Sequence, residues 1–112
     1  MAAQTEPLKF DLAVIETVIR KARKDDQGKS RVDLVEPLFV LDIGKVMGFG
    51  AVKYGDNNWK EGEGLKPDRV YAALQRHLLA YQGGELLDPE SGMSHLAHAG
   101  CNLMMLHHFS KG

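Results

Sequence analysis

The sequence contains one cysteine, no long apolar run and almost no net charge. Because Cys101 has no second cysteine to pair with, an intramolecular disulfide is excluded, and we expect a reducing compartment, the cytoplasm. There is no run of about 18 apolar residues and no charged-then-apolar leader, so the sequence predicts neither a membrane span nor secretion. The net charge of −1, from 14 basic and 15 acidic side chains, gives no indication of a nucleic-acid-binding surface.

Strand patterns are also scarce, whereas apolar residues recur at helical spacing. We predict helices over residues 8–24, 38–53 and 67–82, and a last helix from the N-cap Ser94 to about residue 109. Residues 54–66 are rich in glycine and asparagine and predict a loop, and Asp88 before Pro89 predicts a turn. A chain of 112 residues with 44% hydrophobic residues fits one all-α domain, a small bundle of about four helices.

Two histidines stand one turn apart at the start of the last predicted helix. His95, His98 and Asn102 follow at spacings of three and four, so they share one face of that helix. Leu96, Ala99, Leu103 and Leu106 form its predicted apolar stripe. No lysine or glutamate lies between the histidines and the helix end, so we expect the histidine face to lie inside the bundle, where cofactor sites of bundles are built. Histidines that only pack against their neighbours would show the same spacing.

Acidic residues precede these histidines closely. Glu85 and Asp88 have the ExxD spacing, and Glu90 follows in the same turn. Carboxylates and imidazoles together can bind a divalent metal; oxygen ligands favour Mg²⁺, and histidines favour Mn²⁺ or Zn²⁺. Acidic residues near a helix start also stabilise the helix dipole, and both roles are compatible.

Two further clusters suit a nucleotide. Lys29 and Arg31 follow Gly28 in a turn that can offer two cations to a polyphosphate. A solvent-exposed basic turn without a binding role would have the same residue pattern. Tyr54 and Trp59 could stack on a base while Asn58 contacts its edge; the alternative is a loop whose aromatic residues cover the core. No Walker-type phosphate loop is present.

Several segments in the same order resemble a known family. DQGKSRVDLVEP, GFGAVKYGDNNW, RVYAALQRHLLAYQGGE and DPESGMSHLAHAGCN, within about residues 26–103, resemble the phage dATP/dGTP diphosphohydrolases, relatives of the MazG nucleotide pyrophosphohydrolases. The resemblance implies a MazG-like all-α fold, often oligomeric. It also implies metal-dependent hydrolysis of a purine deoxynucleoside triphosphate to the monophosphate and pyrophosphate. Residues 1–24, which contain the first predicted helix, fall outside the resemblance. The sequence also departs from the MazG enzymes in one respect: it lacks their helix with an ExxE motif.

We therefore predict a metal-dependent nucleotide pyrophosphohydrolase, in the host cytoplasm if a phage encodes it. The predicted metal ligands are His77, Glu85, Asp88, Glu90, His95 and His98, with Mg²⁺ or Mn²⁺ preferred to Zn²⁺. Glu85, Asp88 and His98 are the predicted catalytic residues. The predicted substrate-binding residues are Lys29, Arg31 and Arg76 for phosphate, and Tyr54, Asn58 and Trp59 for the base or sugar.

Two alternatives remain open at this point. The first is a non-catalytic nucleotide-binding or regulatory module on the same fold, and the second is a structural bundle closed by Zn²⁺. In every case the apolar helix over residues 38–53 predicts a homodimer or a larger homo-oligomer, because one small bundle cannot cover it.

Overall fold

A computed structural model describes residues 27–62 and 64–111. They form three α-helices: α1 (Pro37–Tyr54), α2 (Pro67–Gln82) and α3 (His95–Ser110). Two short 3₁₀ turns lie at Val32–Leu34 and Asn58–Lys60. These residues form no strand, only an isolated antiparallel bridge between Leu87 and Ser94. The all-α prediction is thus confirmed for the described residues, while the helix predicted over 8–24 lies outside them.

The chain divides into two compact units, Met1–Val32 and Asp33–Gly112. All three α-helices belong to the second unit. None of the helices within residues 27–62 and 64–111 is long and apolar enough to cross a membrane.

Local sequence signals set the helix ends. Pro37 occupies the first turn of α1, and the Glu36 carboxylate accepts a hydrogen bond from the Leu38 amide at 3.2 Å. Pro67 likewise occupies the first turn of α2, which has no side-chain cap. The Ser94 hydroxyl caps α3 by accepting from the amides of residues 96 and 97. The three predicted helices in this part of the chain are confirmed to within one or two residues.

Helix α3 packs against both α1 and α2. Between α1 and α3, Val46, Ala97 and Cys101 form a buried cluster. The two helices approach closely at Gly100, where a Cβ atom would lie 2.9 Å from Cζ of Phe39. Small residues on α3 therefore set its distance to α1.

The buried face of α3 differs from the predicted apolar stripe. Leu96 and Leu103 are exposed, and Leu103 retains 56% of its accessible surface. The buried residues of this helix are His95, Ala97, Ala99 and Cys101. Because α3 contacts two helices, small side chains are buried on both of its sides, and the larger leucines point away. The expectation that the histidine face lies inside is confirmed.

Backbone hydrogen bonds hold the connection between α2 and α3, which runs over residues 83–94. The Asp88 amide donates to the Met93 carbonyl at 2.7 Å, and the His95 amide donates to the Leu86 carbonyl at 3.0 Å. These bonds hold the carboxylate-bearing turn against the first turn of α3.

Candidate active site

Three histidines from two helices meet beside this turn. His77 continues the inward-facing positions Val70 and Leu74 of α2, at helical spacing. His95 and His98 project from the first turn of α3, which Ser94 begins. The rings of His77 and His98 are stacked, with centroids 4.5 Å apart and 9° between their planes.

The position of Glu85 fixes the protonation of His95. Its carboxylate Oε1 lies 2.7 Å from Nε2 of His95, and an ionised carboxylate can only accept, so Nε2 carries the proton. In neutral His95 the other nitrogen, Nδ1, then carries a lone pair, and it lies 2.9 Å from Nδ1 of His77. Glu85 therefore orients His95 from the far side of the ring, the arrangement in which a carboxylate supports a ligating histidine.

A second network fixes the tautomer of His98. The Ser91 hydroxyl donates to Oδ2 of Asp88 at 2.9 Å and accepts from the Met93 amide at 3.1 Å. Nε2 of His98 lies 2.7 Å from the same hydroxyl oxygen, whose proton is already used, so Nε2 must be the donor. This leaves Nδ1 of neutral His98 with a free lone pair.

The electrostatics favour neutral His77 and His98 beside an ionised Asp88. Burial lowers the pKa of His77, and the neighbouring His98 and His95 lower it further. Burial also lowers the pKa of His98, against the opposing charges of Asp88 and Glu90. Burial alone would raise the pKa of Asp88, but two hydrogen bonds from Ser91 and the nearby histidines outweigh it, so this pKa is lowered.

The geometry of the cluster suits a divalent metal. One ligand atom each from His77, Asp88 and His95 lie within 4.8 Å of one another. The donors are two imidazole nitrogens and a carboxylate oxygen, a set that binds Mn²⁺ or Zn²⁺ more readily than Mg²⁺. Three protein donors also leave coordination positions open for water or substrate.

A cavity of about 520 Å³ adjoins His98. It lies between the end of α1, the loop that follows, and α3, within the second unit of the chain. Its walls are mainly apolar and include Met47, Phe49, Tyr54, Trp59, Cys101 and Asn102. The size and lining are those of a small-molecule site, and His98 belongs to both the cavity and the histidine cluster.

The structure brings together some of the predicted site residues. His77, Glu85, Asp88, His95 and His98 form one connected cluster. The residues predicted to hold the base or sugar, Tyr54, Asn58 and Trp59, all line the cavity.

Other predicted residues lie at the surface. Arg76 and Glu90 are exposed, although the charge of Arg76 acts on His77 and that of Glu90 acts on His98. Lys29 and Arg31 are exposed residues of the unit Met1–Val32. A role for these four side chains stays a prediction.

Two polar residues of the site were not assigned from the sequence. Ser91 links Asp88 to His98, and the signal for it was the D-x-x-S spacing, which lets the aspartate side chain bond a serine three residues on. Asn102 follows His98 by one helical turn and lines the cavity. Its spacing placed it on the histidine face, but it was not among the predicted ligands or substrate-binding residues.

The sequence comparison decides the family. The family model described as dATP/dGTP diphosphohydrolase, N-terminal, matches residues 20–112. The chain belongs to this family. The matched residues include the histidine cluster, the turn that carries Asp88, and the residues that line the cavity.

A curated relative supports the same conclusion. The chain is 39% identical over 83 residues to a protein of Salmonella phage PMBT28 named dATP/dGTP diphosphohydrolase. The aligned region covers 74% of this chain and 28% of that protein, so the chain spans little more than a quarter of the relative's length. No solved structure matches the sequence.

Proposed function

We propose that this family member hydrolyses a purine deoxynucleoside triphosphate to the monophosphate and pyrophosphate, with a divalent metal. The proposal rests on one observation. His98 lies beside residues whose donor atoms suit a divalent metal, and it also lines a cavity large enough for a small molecule. The name of the phage relative supports the choice of dATP and dGTP as substrates.

His77, Asp88 and His95 would hold the metal, as their donor set fits a divalent ion. The ion, when bound, supplies charge neutralisation for phosphoryl oxygens and lowers the pKa of a water. Glu85 keeps Nδ1 of His95 unprotonated by holding the proton on Nε2. This donor set favours Mn²⁺ or Zn²⁺, whereas from the sequence we expected Mg²⁺ or Mn²⁺.

His98 acts as the proton acceptor for the attacking water. Its Nδ1 lone pair is free because Nε2 donates to Ser91, and burial keeps the pKa of His98 low enough for a neutral ring near pH 7. Water attacks the α-phosphorus and gives its proton to His98. The bond between the α-phosphorus and the oxygen that bridges it to the β-phosphorus breaks, and pyrophosphate leaves with that oxygen. Arg76 is the proposed cation for the phosphates, while a phosphate-binding role for Lys29 and Arg31 stays a prediction from the sequence.

The cavity binds the nucleoside part. Tyr54 supplies an exposed aromatic ring for stacking, and Asn58 supplies an amide at the rim of the cavity. Base stacking on an aromatic side chain contributes about 1–3 kcal/mol.

A nucleotide-binding module without turnover is the second candidate. It is favoured by the sequence, which lacks the ExxE carboxylate pair of the MazG enzymes. Such a module would use the same cavity and would bind nucleotide without releasing pyrophosphate.

The test is pyrophosphate release from the four deoxynucleoside triphosphates by the 112-residue chain, with Mn²⁺, Mg²⁺ or Zn²⁺ and with EDTA. We expect release from dGTP and dATP only, and none in EDTA. His98→Ala should lose at least about 100-fold in kcat, the contribution of general base catalysis. His107→Ala is the matched control, since His107 is exposed on the same helix. Purine binding without release would support the module, and absence of both would overturn both candidates.

A further inference from the structure

One flank of helix α2 carries two arginines. Arg69 and Arg76 stand seven residues apart, so they share a face of the helix, with their Cα atoms about 10 Å from each other. Both side chains are exposed. Neither forms an ion pair with a carboxylate of the described residues. Two cations are therefore available to a ligand on this side of α2.

The two helices that carry the histidines run antiparallel. His77, near the end of α2, stacks on His98, near the start of α3. Gly64 lies just before α2, and a Cβ atom there would lie 2.9 Å from Cε1 of Phe109, near the end of α3. In an antiparallel pair of right-handed helices, equivalent flanks of the two helices lie on the same side of their contact.

This rule places the arginines on the side of the bundle that holds the cavity. Leu74 is buried on α2, which packs mainly against α3, and Ala99 is the equivalent buried residue of α3. The residues immediately before them, Ala73 and His98, therefore lie on one side of the contact. His98 lines the cavity. Arg69 and Arg76 stand one helical turn before and after Ala73, so they lie on that side too.

The neighbours of the two arginines agree with this placement. Leu65 lines the cavity, and Arg69 follows it by four residues. At the other end of the flank, Arg76 precedes His77. Burial lowers the pKa of His77 most, and the positive charge of Arg76 adds to the lowering. The flank therefore runs from the wall of the cavity to the histidine cluster.

We infer that Arg69 and Arg76 form a cradle for the β- and γ-phosphates of the nucleotide, with Ala73 leaving room between them. The inference rests on the proposed function, and it adds Arg69 and Ala73 to the residues that bind the substrate. With the base in the cavity and the α-phosphate at His98, the remaining phosphates extend past His98 toward α2.

The charge of a triphosphate requires cations that the cavity does not supply. Among the described residues that line the cavity there is no lysine or arginine. A divalent ion at the histidine cluster neutralises only part of the negative charge. Guanidinium groups present paired N–H donors that match phosphate oxygens, so arginines on the adjoining flank suit the rest.

Ala73 distinguishes this flank from an ordinary solvated helix face. It is half-buried, and it stands four residues after Arg69 and three before Arg76. On a face that only contacts water, an acidic side chain at this position would pair with both arginines and stabilise the helix. The alanine instead leaves both guanidinium groups without a negative partner and leaves room between them for phosphate oxygens.

The first test compares dGTP with dGMP, which lacks the β- and γ-phosphates. Equilibrium binding to the 112-residue chain is measured in EDTA, which keeps binding separate from hydrolysis. We expect wild-type protein to bind dGTP at least about tenfold more tightly than dGMP. Arg69→Gln should weaken dGTP binding about tenfold without changing dGMP binding, because it removes only contacts to the distal phosphates.

Two further variants control for charge. Arg69→Lys keeps the charge but not the paired donors, so it should lose less dGTP affinity than Arg69→Gln. Lys45→Gln removes the same charge from an exposed position of α1 and should change the affinity for neither nucleotide. Melting temperatures of all variants report on folding.

The second test fills the space between the arginines without changing the charge. Ala73→Leu should weaken dGTP binding at least about fivefold and dGMP binding less, because the larger side chain occupies the place of the distal phosphates. Gln75→Leu, at an exposed position of the same helix, adds a leucine elsewhere and should have no effect on either affinity.

The outcomes separate this inference from the proposed function. If wild-type protein releases pyrophosphate from dGTP but binds dGTP and dGMP equally in EDTA, the cradle is wrong and the proposed function stands. A folded Arg69→Gln that loses no more dGTP affinity than Lys45→Gln would overturn the role of Arg69 in the same way. If wild-type protein neither binds nor hydrolyses any purine nucleotide, both the inference and the proposed function are wrong.

Discussion

At the scale of single residues, the protonation pattern of the cluster follows from a few hydrogen bonds. Glu85 holds a proton on the outer nitrogen of His95, and Ser91 does the same for His98. The sequence predicted that these histidines and carboxylates meet. It could not predict which side chains supply the metal-type donor atoms and which only orient another histidine. Those roles depend on how each ring is rotated and on the hydrogen bonds of Ser91, neither of which follows from residue spacing.

The lowered pKa values lead to a prediction about stability in EDTA. His77 and His98 titrate below about 6.5 when folded and near 6.5 when unfolded, so the unfolded chain binds more protons in between. The free energy of unfolding should therefore fall as the pH drops below about 6.5, and fall further in the acid range as Asp88 is protonated. The melting temperature measured from pH 7.5 down to about pH 3 checks both parts of this prediction. His98→Gln should flatten the dependence, and His107→Gln should leave it as in wild-type protein; a steeper decline in His98→Gln would contradict the assignment.

At the scale of elements, proline, serine and glycine signals located the three described helices well. Helix packing was predicted less well. The leucines of α3 were expected in the core, but Leu96 and Leu103 are exposed, since α3 contacts two helices and buries its small residues instead. Amphipathic spacing assumes one buried face for each helix, and it fails where a helix is covered on two sides.

Glycines of α1 and α3 give a prediction at this scale. Gly48 in α1 has no atom within 4 Å of the place where a Cβ would lie, whereas a Cβ at Gly100 in α3 meets Phe39 and Ile43. Gly48→Ala should raise the free energy of unfolding by up to about 1 kcal/mol through helix propensity. Gly100→Leu should lower it by about 1–3 kcal/mol by overpacking the contact between α1 and α3. Denaturant unfolding measures both changes, and a neutral Gly100→Leu would show that this contact is not tight.

At the scale of the whole molecule, helix α1 leaves much apolar surface uncovered. Leu38, Leu41 and Val52 retain 66%, 61% and 89% of their accessible surface. An apolar area of this kind on a small protein usually marks an interface. The prediction of a homodimer or larger assembly came from the same residues in the sequence and is still untested.

Light scattering at micromolar concentration tests the assembly. We expect a mass of at least twice 12.4 kDa for the 112-residue chain. Leu41→Glu should reduce the mass toward that of one chain, because it places a charge in the proposed interface. Gln75→Glu, at an exposed position of α2, is the matched control. A monodisperse monomer of wild-type protein would contradict the prediction.

The central claim, that the cluster and the cavity together cleave a purine deoxynucleoside triphosphate at the α-phosphorus, is tested most directly by identifying the products. Phosphorus NMR of dGTP incubated with the chain and Mn²⁺ resolves the monophosphate, diphosphate, pyrophosphate and phosphate. We predict equal amounts of dGMP and pyrophosphate, with no product in EDTA or with Asp88→Asn. Formation of dGDP and phosphate, or products that persist in EDTA, would contradict the account.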